Sequence, residues 1–296
     1  MTDDSQSAPA QSRDRRRFSV VVTTFDDPWS LSCVLRALAC QTLVPSEVVV
    51  ADDGSAQASS DALDRIAAEL PFPLLHVRQP HDGFRAARSR NNGIWATTCP
   101  NLAFLDQDTV PHPDWLAAHA SALGPGRVCL GASLNLDPER KADMTPEAIR
   151  NGAFAAWHSS RDESRLLRFH AKSFAYALCH RAGFRLRSRP SLRSGNFAIH
   201  KTDIEAVNGF DEAFVGWGQE DDNLGRRLYM AGVVPVALCR QARITHIPHP
   251  RRNAGRADGA NIERHRAPIA HSRAAQGLDC RPYSDVITRR PGLGTT

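Results

Sequence analysis

Apolar and polar positions alternate regularly along the first third of the chain. Short apolar, β-branched runs typical of buried strands occur at residues 18–25, 47–51, 74–77 and 102–105. Between them, apolar residues recur every three or four positions, which predicts amphipathic helices at residues 31–38, 62–70 and 84–96. This order predicts an α/β fold with right-handed crossovers and a mainly parallel central sheet flanked by helices.

The pattern from residue 111 onward is less regular. It predicts strands at residues 128–136, 194–199, 233–236 and 242–244, and helices at residues 113–123, after Thr202 and from about Gln219. Residues 138–190 are polar and Arg-rich with scattered aromatic side chains, and we interpret them as helical. No Gly-x-Gly-x-x-Gly or Walker A pattern occurs, which disfavours a dinucleotide-binding or P-loop enzyme.

Polar side chains follow three of the predicted strands where each strand ends. They are Thr23, Thr24 and Asp26 after the first strand, Asp52 and Asp53 after the second, and Asp106 and Asp108 after the fourth. Ligands of open α/β sheets bind outside the carboxyl ends of the strands, so these side chains predict one binding site. Adjacent carboxylates repel each other unless a cation lies with them. We predict a divalent metal at Asp106 and Asp108 that holds a diphosphate; for this stretch alone, a solvated Asp turn is an equal alternative.

A second stretch with candidate functional residues lies at residues 209–224. Glycines flank Trp217, so a permissive backbone projects the indole from a loop. Glu220, Asp221 and Asp222 fall in the first turn of the following helix, where acids favour the helix dipole without any further role. The functional alternative is a general base with a neighbouring carboxylate that binds a hydroxyl, beside an aromatic face suited to a sugar ring.

Two histidines, His246 and His249, follow the last predicted strand. A lone histidine is more often structural than a ligand. Here imidazole together with carboxylate and phosphate oxygens suits Mn²⁺ or Mg²⁺, and the nitrogen favours Mn²⁺.

The distribution of charge indicates possible partners, and the cysteines and the N-terminus indicate the cellular compartment. The net charge is +5, and residues 250–296 carry nine Arg against four acids, so residues 1–249 are neutral overall. The basic tail indicates phosphate groups, a nucleic acid or an anionic membrane face as a partner, and a solvated segment without a partner is the commoner case. Seven scattered cysteines indicate reduced, mostly buried thiols. The N-terminal residues lack an apolar signal segment, so we expect a cytoplasmic protein.

The motifs together resemble a known family. They are Val20–Phe25, Asp52-Asp53-Gly54-Ser55, Gly83 through Arg90-Asn91, Phe104–Asp108, Asn208–Glu212 and Trp217–Asp221. Over residues 18–250 the chain resembles family 2 glycosyltransferases of the GT-A, or nucleotide-diphospho-sugar transferase, fold. The later segment is similar to the C-terminal half of β-1,4-galactosyltransferases and to bacterial chondroitin-type polymerases.

The resemblance implies a role for each matching residue. Thr23, Phe25, Asp52, Asp53, Arg90 and Asp106 would bind the nucleotide sugar, with Asp106 at the ribose or donor sugar. Asp108 and His246 would ligate Mn²⁺ or Mg²⁺, with His249 as the alternative to His246. Asp221 would be the catalytic base, Glu220 would bind the acceptor and act beside that base, and Trp217 and Asp222 would contact the acceptor.

The resemblance over residues 18–250 and the composition of the two ends together predict the organisation of the chain. A disordered lead-in at 1–17 precedes one GT-A domain, with a nucleotide-sugar-binding half at 18–110 and an acceptor-binding half at 111–250. The tail at 251–296 is expected to act as a lid over the diphosphate or to contact an anionic membrane at its inner face.

The activity expected is metal-dependent, inverting sugar transfer from a UDP-type donor to a carbohydrate, glycolipid, peptide or small-molecule acceptor. A nucleotidyltransferase that forms sugar nucleotides is the alternative, although its usual Gly-rich basic loop is missing after the first strand. A nucleic-acid binder is less favoured, because the folded region is not basic.

Overall fold

The computed structural model describes residues 16–184, 189–249 and 259–292. The strands are β1 (Phe18–Thr24), β2 (Glu47–Asp52), β3 (Leu74–Arg78), β4 (Asn101–Asp106), β5 (Thr109–Pro111), β6 (Arg127–Leu130), β7 (Ala132–Asn135), β8 (Phe197–His200), β9 (Val234–Ala237), β10 (Arg243–His246) and β11 (Ile287–Arg289). The helices are α1 (Pro28–Ala39), α2 (Gln57–Ala67), α3 (Ala86–Ala96), α4 (Trp115–Ala122), α5 (Pro146–Arg150), α6 (Ser160–Arg181), α7 (Lys201–Ala206), α8 (Glu220–Met230) and α9 (Gly259–Arg266). The predicted strands and helices of the first half are all present.

Within the described residues, the central sheet has eight strands in the order β11-β3-β2-β1-β4-β8-β6-β9. Strands β3, β2, β1 and β4 run parallel, with Val21 of β1 opposite Val49 and Phe104. Strand β8 is antiparallel to both β4 and β6. The mainly parallel α/β sheet predicted from the sequence is therefore confirmed.

Apolar side chains on both faces of this sheet form the core. One cluster joins β1 and β2 to α1 and α4, and a second joins β4 and β8 to α3 and α8. Because β1, β2 and β4 are buried on both faces, they read in the sequence as almost continuous apolar runs.

The predicted strand at residues 128–136 is in fact two strands, β6 and β7, that belong to different sheets. The break falls at Gly131, where an added Cβ would lie 2.2 Å from the Asn196 side chain. Asn196 donates to the carbonyls of Ala132 and Ala242 at 2.9 and 3.0 Å. The buried Asn196 amide thus replaces strand-to-strand backbone hydrogen bonds at this point, and β7 joins the small sheet.

The small sheet has the order β5-β10-β7 among the described residues. Strand β5 starts three residues after the end of β4, and β10 pairs antiparallel with it, with His246 opposite Thr109. This pairing carries the distant segment at 243–249 to the end of β4.

Residues 259–292 fold back onto the body of the protein. Ala274 N donates to the Val207 carbonyl at 3.0 Å, and β11 adds an antiparallel edge strand beside β3. The buried Arg281 pairs with Glu212, which also accepts from the Tyr283 hydroxyl at 2.8 Å. Residues 250–258 and most of the predicted lead-in, 1–15, lie outside the described residues, so the lid and the disordered lead-in stay predictions.

Two general expectations concern cysteines and membranes. All seven cysteines are free thiols, and Cys33, Cys99, Cys129 and Cys239 are buried. No helix in the described ranges is both long enough and apolar enough to cross a bilayer.

Candidate active site

Three side chains of types that can ligate a metal ion meet at the end of the small sheet. One carboxylate oxygen of Asp108 and one imidazole nitrogen each of His246 and His249 lie within 4.8 Å of one another. The Nε2 atoms of His246 and His249 are 3.5 and 2.9 Å from Oδ2 of Asp108. A carboxylate oxygen and two imidazole nitrogens can ligate Mn²⁺, which accepts nitrogen ligands more readily than Mg²⁺ does, so the residues fit the predicted group. His249, which the sequence left as an alternative to His246, lies in the same cluster.

The cluster forms because β10 pairs with β5. Asp108 occupies the turn between β4 and β5, and Ile247 N donates to its carbonyl at 2.8 Å. The backbone ladder thereby fixes His246 beside the turn, and the two following residues bring His249 back to the same carboxylate. Regular backbone hydrogen bonds thus hold His246 and the Asp108 turn next to each other, and His249 lies just beyond the end of β10.

The two carboxylates of the Asp-Gln-Asp turn have different environments. Burial alone would raise the pKa of Asp108, but hydrogen bonds from His246 and His249 hold it well below its usual range. Burial raises the pKa of Asp106; Arg90 opposes this rise and the charge of Asp108 adds to it. Asp108 is therefore held in the ionised form, which is the form that a metal ligand needs.

Arg90 joins the two chemical stretches of the sequence. From α3, its Nη2 atom donates to Asp106 at 2.9 Å and its Nη1 atom donates to Glu220 at 2.8 Å. The side chain is buried, and the two carboxylates raise the pKa of Arg90 although burial opposes its charge. Its predicted contact with the nucleotide stays a prediction. The structure adds a charged bridge from the donor side to the first turn of α8.

Asp221 lies close to this bridge. Ser194 N donates to its Oδ2 atom at 3.3 Å. The next residue, Gly195, packs against Asp106, because a Cβ at that position would lie 2.9 Å from Oδ2 of Asp106. Two consecutive residues therefore contact the predicted base and the donor-side acid, which places both acids at one site.

The electrostatics around Asp221 favour proton acceptance. Burial raises the pKa of Asp221 well above its usual range, and the charge of Glu220 adds to this rise while Arg90 opposes it. A more basic carboxylate is a better proton acceptor near neutral pH. Glu220 has one oxygen on Arg90 and a second, Oε2, that is buried without a hydrogen-bond partner among the described residues. An unpaired buried acceptor costs about 1–3 kcal/mol, so a ligand hydroxyl would be bound favourably there.

The loop before α8 presents Trp217 at the surface. Gly216, Gly218 and Gln219 have positive φ angles of 87°, 96° and 78°. Glycine adopts such angles without steric cost, which explains the glycines at positions 216 and 218. Gly216 N donates to the Phe84 carbonyl at 2.8 Å, which fixes the loop, while the indole remains 43% exposed. The predicted projection of the indole is observed; its contact with a sugar stays a prediction.

Asp222 faces a different direction from Glu220. With about 100° between successive helical residues, Asp222 lies about 200° around α8 from Glu220. There it lines a pocket with Arg226 and Tyr229, and its Oδ2 atom is 3.3 Å from Nε2 of His265 in α9. Its role in acceptor binding stays a prediction, on a neighbouring face rather than beside the Arg90 bridge.

The predicted nucleoside pocket lies at the ends of β1 and β2. Thr23 has a buried Oγ1 atom without a hydrogen-bond partner in the described ranges, and the ring of Phe25 stacks on His81 at 4.5 Å. Asp52 accepts from Ser55 and His76.

Both oxygens of Asp53 are also engaged, because they accept from Gln79 Nε2 and Arg85 N at 2.5 and 2.8 Å. Both carboxylates thus already organise the strand ends, and direct contact with a nucleoside stays a prediction for them.

Sequence reasoning assigned no role to Gln107, the middle residue of the Asp-Gln-Asp turn. Its Oε1 atom accepts from Thr24 Oγ1 and Phe25 N at 2.6 and 2.7 Å, and its backbone N donates to Thr23 O. It therefore ties the turn to the end of β1. The position of Gln107 in the sequence does not indicate this contact, because Thr24 and Phe25 at the end of β1 are 83 and 82 residues away in the chain.

A second group missed by the sequence reaches the pocket from the C-terminal strand. Arg289 donates through Nε to Nδ1 of His76 at 3.0 Å, so the His76 proton lies on Nε2. Nε2 then donates to Asp52 at 2.8 Å. Strand β11 thus orients a carboxylate of the predicted donor pocket.

Comparison with known proteins identifies the family. The Glycosyl transferase family 2 profile matches residues 19–188, and the profile described as N-terminal domain of galactosyltransferase matches residues 176–250. The chain therefore belongs to glycosyl transferase family 2, as the motifs predicted.

Curated relatives of known name support this assignment. Validoxylamine A glucosyltransferase of Streptomyces hygroscopicus subsp. limoneus is 33% identical over 248 residues, 79% of this chain and 52% of that protein. Hyaluronan synthase of Pasteurella multocida is 29% identical over 72% of this chain and 23% of that protein. Chondroitin synthase of Escherichia coli is 27% identical, over 72% of this chain and 32% of that protein. The chain spans about half the length of the first of these relatives and less of the other two.

Solved structures confirm the GT-A fold class. A mannosyltransferase from Pyrobaculum calidifontis in complex with GDP-Man and Mn²⁺ superposes with a TM-score of 0.56 at 19% identity, covering 80% of this chain and 58% of that one. TarS from S. aureus gives a TM-score of 0.52 at 16% identity, covering 79% and 37%.

Proposed function

We propose that the protein is a metal-dependent, inverting glycosyltransferase. It moves a sugar from a nucleotide-diphosphate donor, with UDP as the nucleotide that the family resemblance implies, to a hydroxyl of a sugar-containing acceptor. The observation that carries the proposal is the junction at Arg90. This residue links the Asp106 side, next to the Asp108, His246 and His249 cluster, to Glu220, which precedes Asp221.

Asp108, His246 and His249 would hold the cation, Mn²⁺ or Mg²⁺. When bound, such an ion neutralises the charge that develops on a departing diphosphate and orients it. The depressed pKa of Asp108 keeps this ligand ionised for that purpose. Thr23 and Phe25, which Gln107 joins to the Asp-Gln-Asp turn, would bind the nucleoside.

Asp221 acts as the general base on the acceptor side. It accepts the proton of the attacking hydroxyl while that oxygen forms a bond to the anomeric carbon and the bond from this carbon to the diphosphate oxygen breaks. One displacement inverts the anomeric centre, and the nucleoside diphosphate leaves with the bonding electrons. Oε2 of Glu220 accepts a hydrogen bond from an acceptor hydroxyl, and Trp217 offers an aromatic face to the ring.

A screen of nucleotide sugars tests this proposal. We expect release of a nucleoside diphosphate from at least one UDP-sugar with Mn²⁺, loss of the release with a chelator, and an inverted product in NMR when an acceptor is supplied. Asp221→Asn should abolish transfer while donor binding persists. Chelator-insensitive turnover or transfer by Asp221→Asn at the wild-type rate would contradict the proposal.

A further inference from the structure

Helix α6 carries apolar side chains on the face that points away from the protein. Leu167, Phe174 and Leu178 are 51%, 61% and 61% exposed, and Ala171 between them is exposed as well. These residues follow one another at intervals of three or four positions and therefore form a single stripe along the helix. Large apolar side chains in a continuous exposed row are a sign of an interaction surface rather than of ordinary surface variation.

The opposite face of α6 accounts for the attachment of the helix to the body. Leu166 and Phe169 pack with Leu134 and Cys239 of the small sheet region, and Tyr176 is also buried. The intramolecular contacts thus use one face of the helix only. The outer stripe has no partner among the residues that the structure describes, and Phe184, just beyond the helix, extends the exposed apolar surface.

Basic side chains run along one flank of this stripe. Arg161, Arg165, Arg168 and Lys172 are all exposed. Arg165 pairs with Asp162, whereas no ion pair joins Arg161, Arg168 or Lys172 to another described residue. The second acid of the first turn, Glu163, is paired with His158 and Arg243. The flank therefore presents uncompensated positive charge next to Leu and Phe side chains.

We propose that the outer face of α6 docks on an anionic lipid surface. A helix with Leu and Phe on one face and Arg and Lys beside it lies in the plane of the bilayer interface, with its apolar face among the acyl chains. The basic side chains extend their aliphatic stems along the interface and place their charges at acidic headgroups. Charge complementarity between this basic flank and acidic headgroups favours a lipid surface as the occupant, whereas antiparallel pairing of two α6 helices would bring their basic flanks together.

This proposal moves the membrane contact from the basic C-terminal tail, where the sequence suggested it, to α6. Two of the described tail arginines are engaged with the body of the protein: Arg281 pairs with Glu212 and Arg289 pairs with Asp64. The docking surface is also independent of sugar transfer, so either inference can fail while the other stands.

Vesicle sedimentation with the full chain tests the proposal. We expect the wild type to pellet with vesicles made of equal parts phosphatidylcholine and phosphatidylglycerol, and to bind pure phosphatidylcholine at least about tenfold more weakly. Replacing Leu167, Phe174 and Leu178 together by Ser should reduce binding by about tenfold or more. Arg168→Gln with Lys172→Gln should weaken binding to the acidic vesicles and leave binding to phosphatidylcholine unchanged.

Matched variants separate this surface from other exposed groups. Val44→Ser with Ile287→Ser removes apolar side chains that are 40% and 59% exposed elsewhere, and Arg266→Gln with Arg290→Gln removes tail charges; both should bind vesicles as the wild type does. Unchanged circular dichroism melting shows that each variant is folded. Wild type that stays in solution with both vesicles, equal binding by the Leu167, Phe174 and Leu178 variant, or loss of binding only in the tail variant would overturn the proposal. Analytical ultracentrifugation showing a dimer that the stripe variant abolishes would assign the stripe to a second copy instead.

Discussion

Arg90 donates a hydrogen bond from one guanidinium nitrogen to Asp106 and from another to Glu220. A single buried side chain therefore sets the relative position of two acids from distant parts of the chain. A planar guanidinium can bond two carboxylates at once in a fixed geometry, whereas an ammonium group offers a single point of charge. Glu220 keeps one unpaired oxygen because Arg90 occupies only the other. The orientation of this oxygen therefore depends on Arg90.

We expect Arg90→Lys to lower the free energy of unfolding by about 1.5–3 kcal/mol, since one carboxylate loses a charged hydrogen bond. Displacement of Glu220 should reduce kcat by about 100-fold. Urea denaturation and steady-state kinetics measure both effects. Arg36→Lys is the control: Arg36 pairs with Glu69 at the surface, so its replacement should cost less than about 1 kcal/mol. Equal behaviour of the two variants would contradict the role of Arg90.

The raised pKa of Asp221 predicts the pH dependence of transfer. A carboxylate with a raised pKa is already protonated at pH values where an ordinary aspartate, with a pKa of about 3.9, is still ionised. A protonated Asp221 cannot accept the acceptor proton, so kcat should fall toward acid with a midpoint well above that value. The measurement is kcat against pH at saturating donor and Mn²⁺. A rate that stays flat down to the ordinary aspartate range would exclude Asp221 as the base.

At the scale of single residues, the sequence indicates site residues when they are close to each other along the chain. The spacing of Asp106 and Asp108 and the Glu220-Asp221 pair pointed to acids that the structure brings together. It did not indicate that Arg90 bridges them or that Gln107 ties the turn to Phe25, because these partners are distant in sequence.

At the scale of elements, the segment before strand β8 brings Asp221, the predicted base, near Asp106, a predicted donor-binding acid. Gly195 makes this possible, since a Cβ there would lie 2.9 Å from Asp106 Oδ2 and 3.1 Å from Thr109 Cγ2. Neither atom is on a long flexible side chain. The close approach of this segment to the end of β4 therefore requires glycine.

Gly195→Ala should displace Asp106 and raise the KM for the donor sugar by about tenfold, while lowering the free energy of unfolding by about 1–3 kcal/mol through overpacking. Donor titrations and urea denaturation measure the two effects. Gly124→Ala serves as the control, because nothing lies within 4 Å of a Cβ at that position. A Gly195→Ala protein with unchanged donor KM would show that the segment has room to move.

Local periodicity was sufficient to predict β1 to β4 and the helices between them, since each packs on its sequence neighbours. It was insufficient at residues 128–136, where β6 and β7 enter different sheets because of the buried Asn196 amide. It also gave no indication that His246 would pair opposite Thr109. Strand partners separated by more than a hundred residues are chosen by tertiary packing, which no local pattern records.

At the scale of the whole molecule, the C-terminal segment closes over the edge of the sheet. Arg281 is buried against Glu212 and donates to Asn92 at 3.1 Å, and β11 extends the sheet beside β3. The sequence predicted a basic tail from its Arg content. It did not predict that the tail packs on the sheet edge. A solvated tail and a tail whose arginines pair with acids of the folded body can have the same Arg content.

We expect Arg281→Ala to lower the free energy of unfolding by about 3–5 kcal/mol, because it leaves the Glu212 carboxylate buried without its charged partner. Urea denaturation measures the loss, and limited proteolysis should cleave the C-terminal segment faster. Arg273→Ala is the matched control, since Arg273 pairs with Asp279 at the surface and its removal should cost at most about 1 kcal/mol. Similar losses for both variants would contradict a structural role for the buried pair.

Calorimetric titration of UDP, with and without Mn²⁺, shows directly whether nucleotide binding depends on a cation at the proposed site. We predict Mn²⁺-dependent binding by the wild type, and its loss in Asp108→Asn and in His246→Gln with His249→Gln, since these side chains form the cluster that could hold the ion. His271→Gln, at an exposed site, should bind as the wild type does. Equal Mn²⁺-dependent affinity in the Asp108 and histidine variants and in the wild type would contradict the proposed metal site.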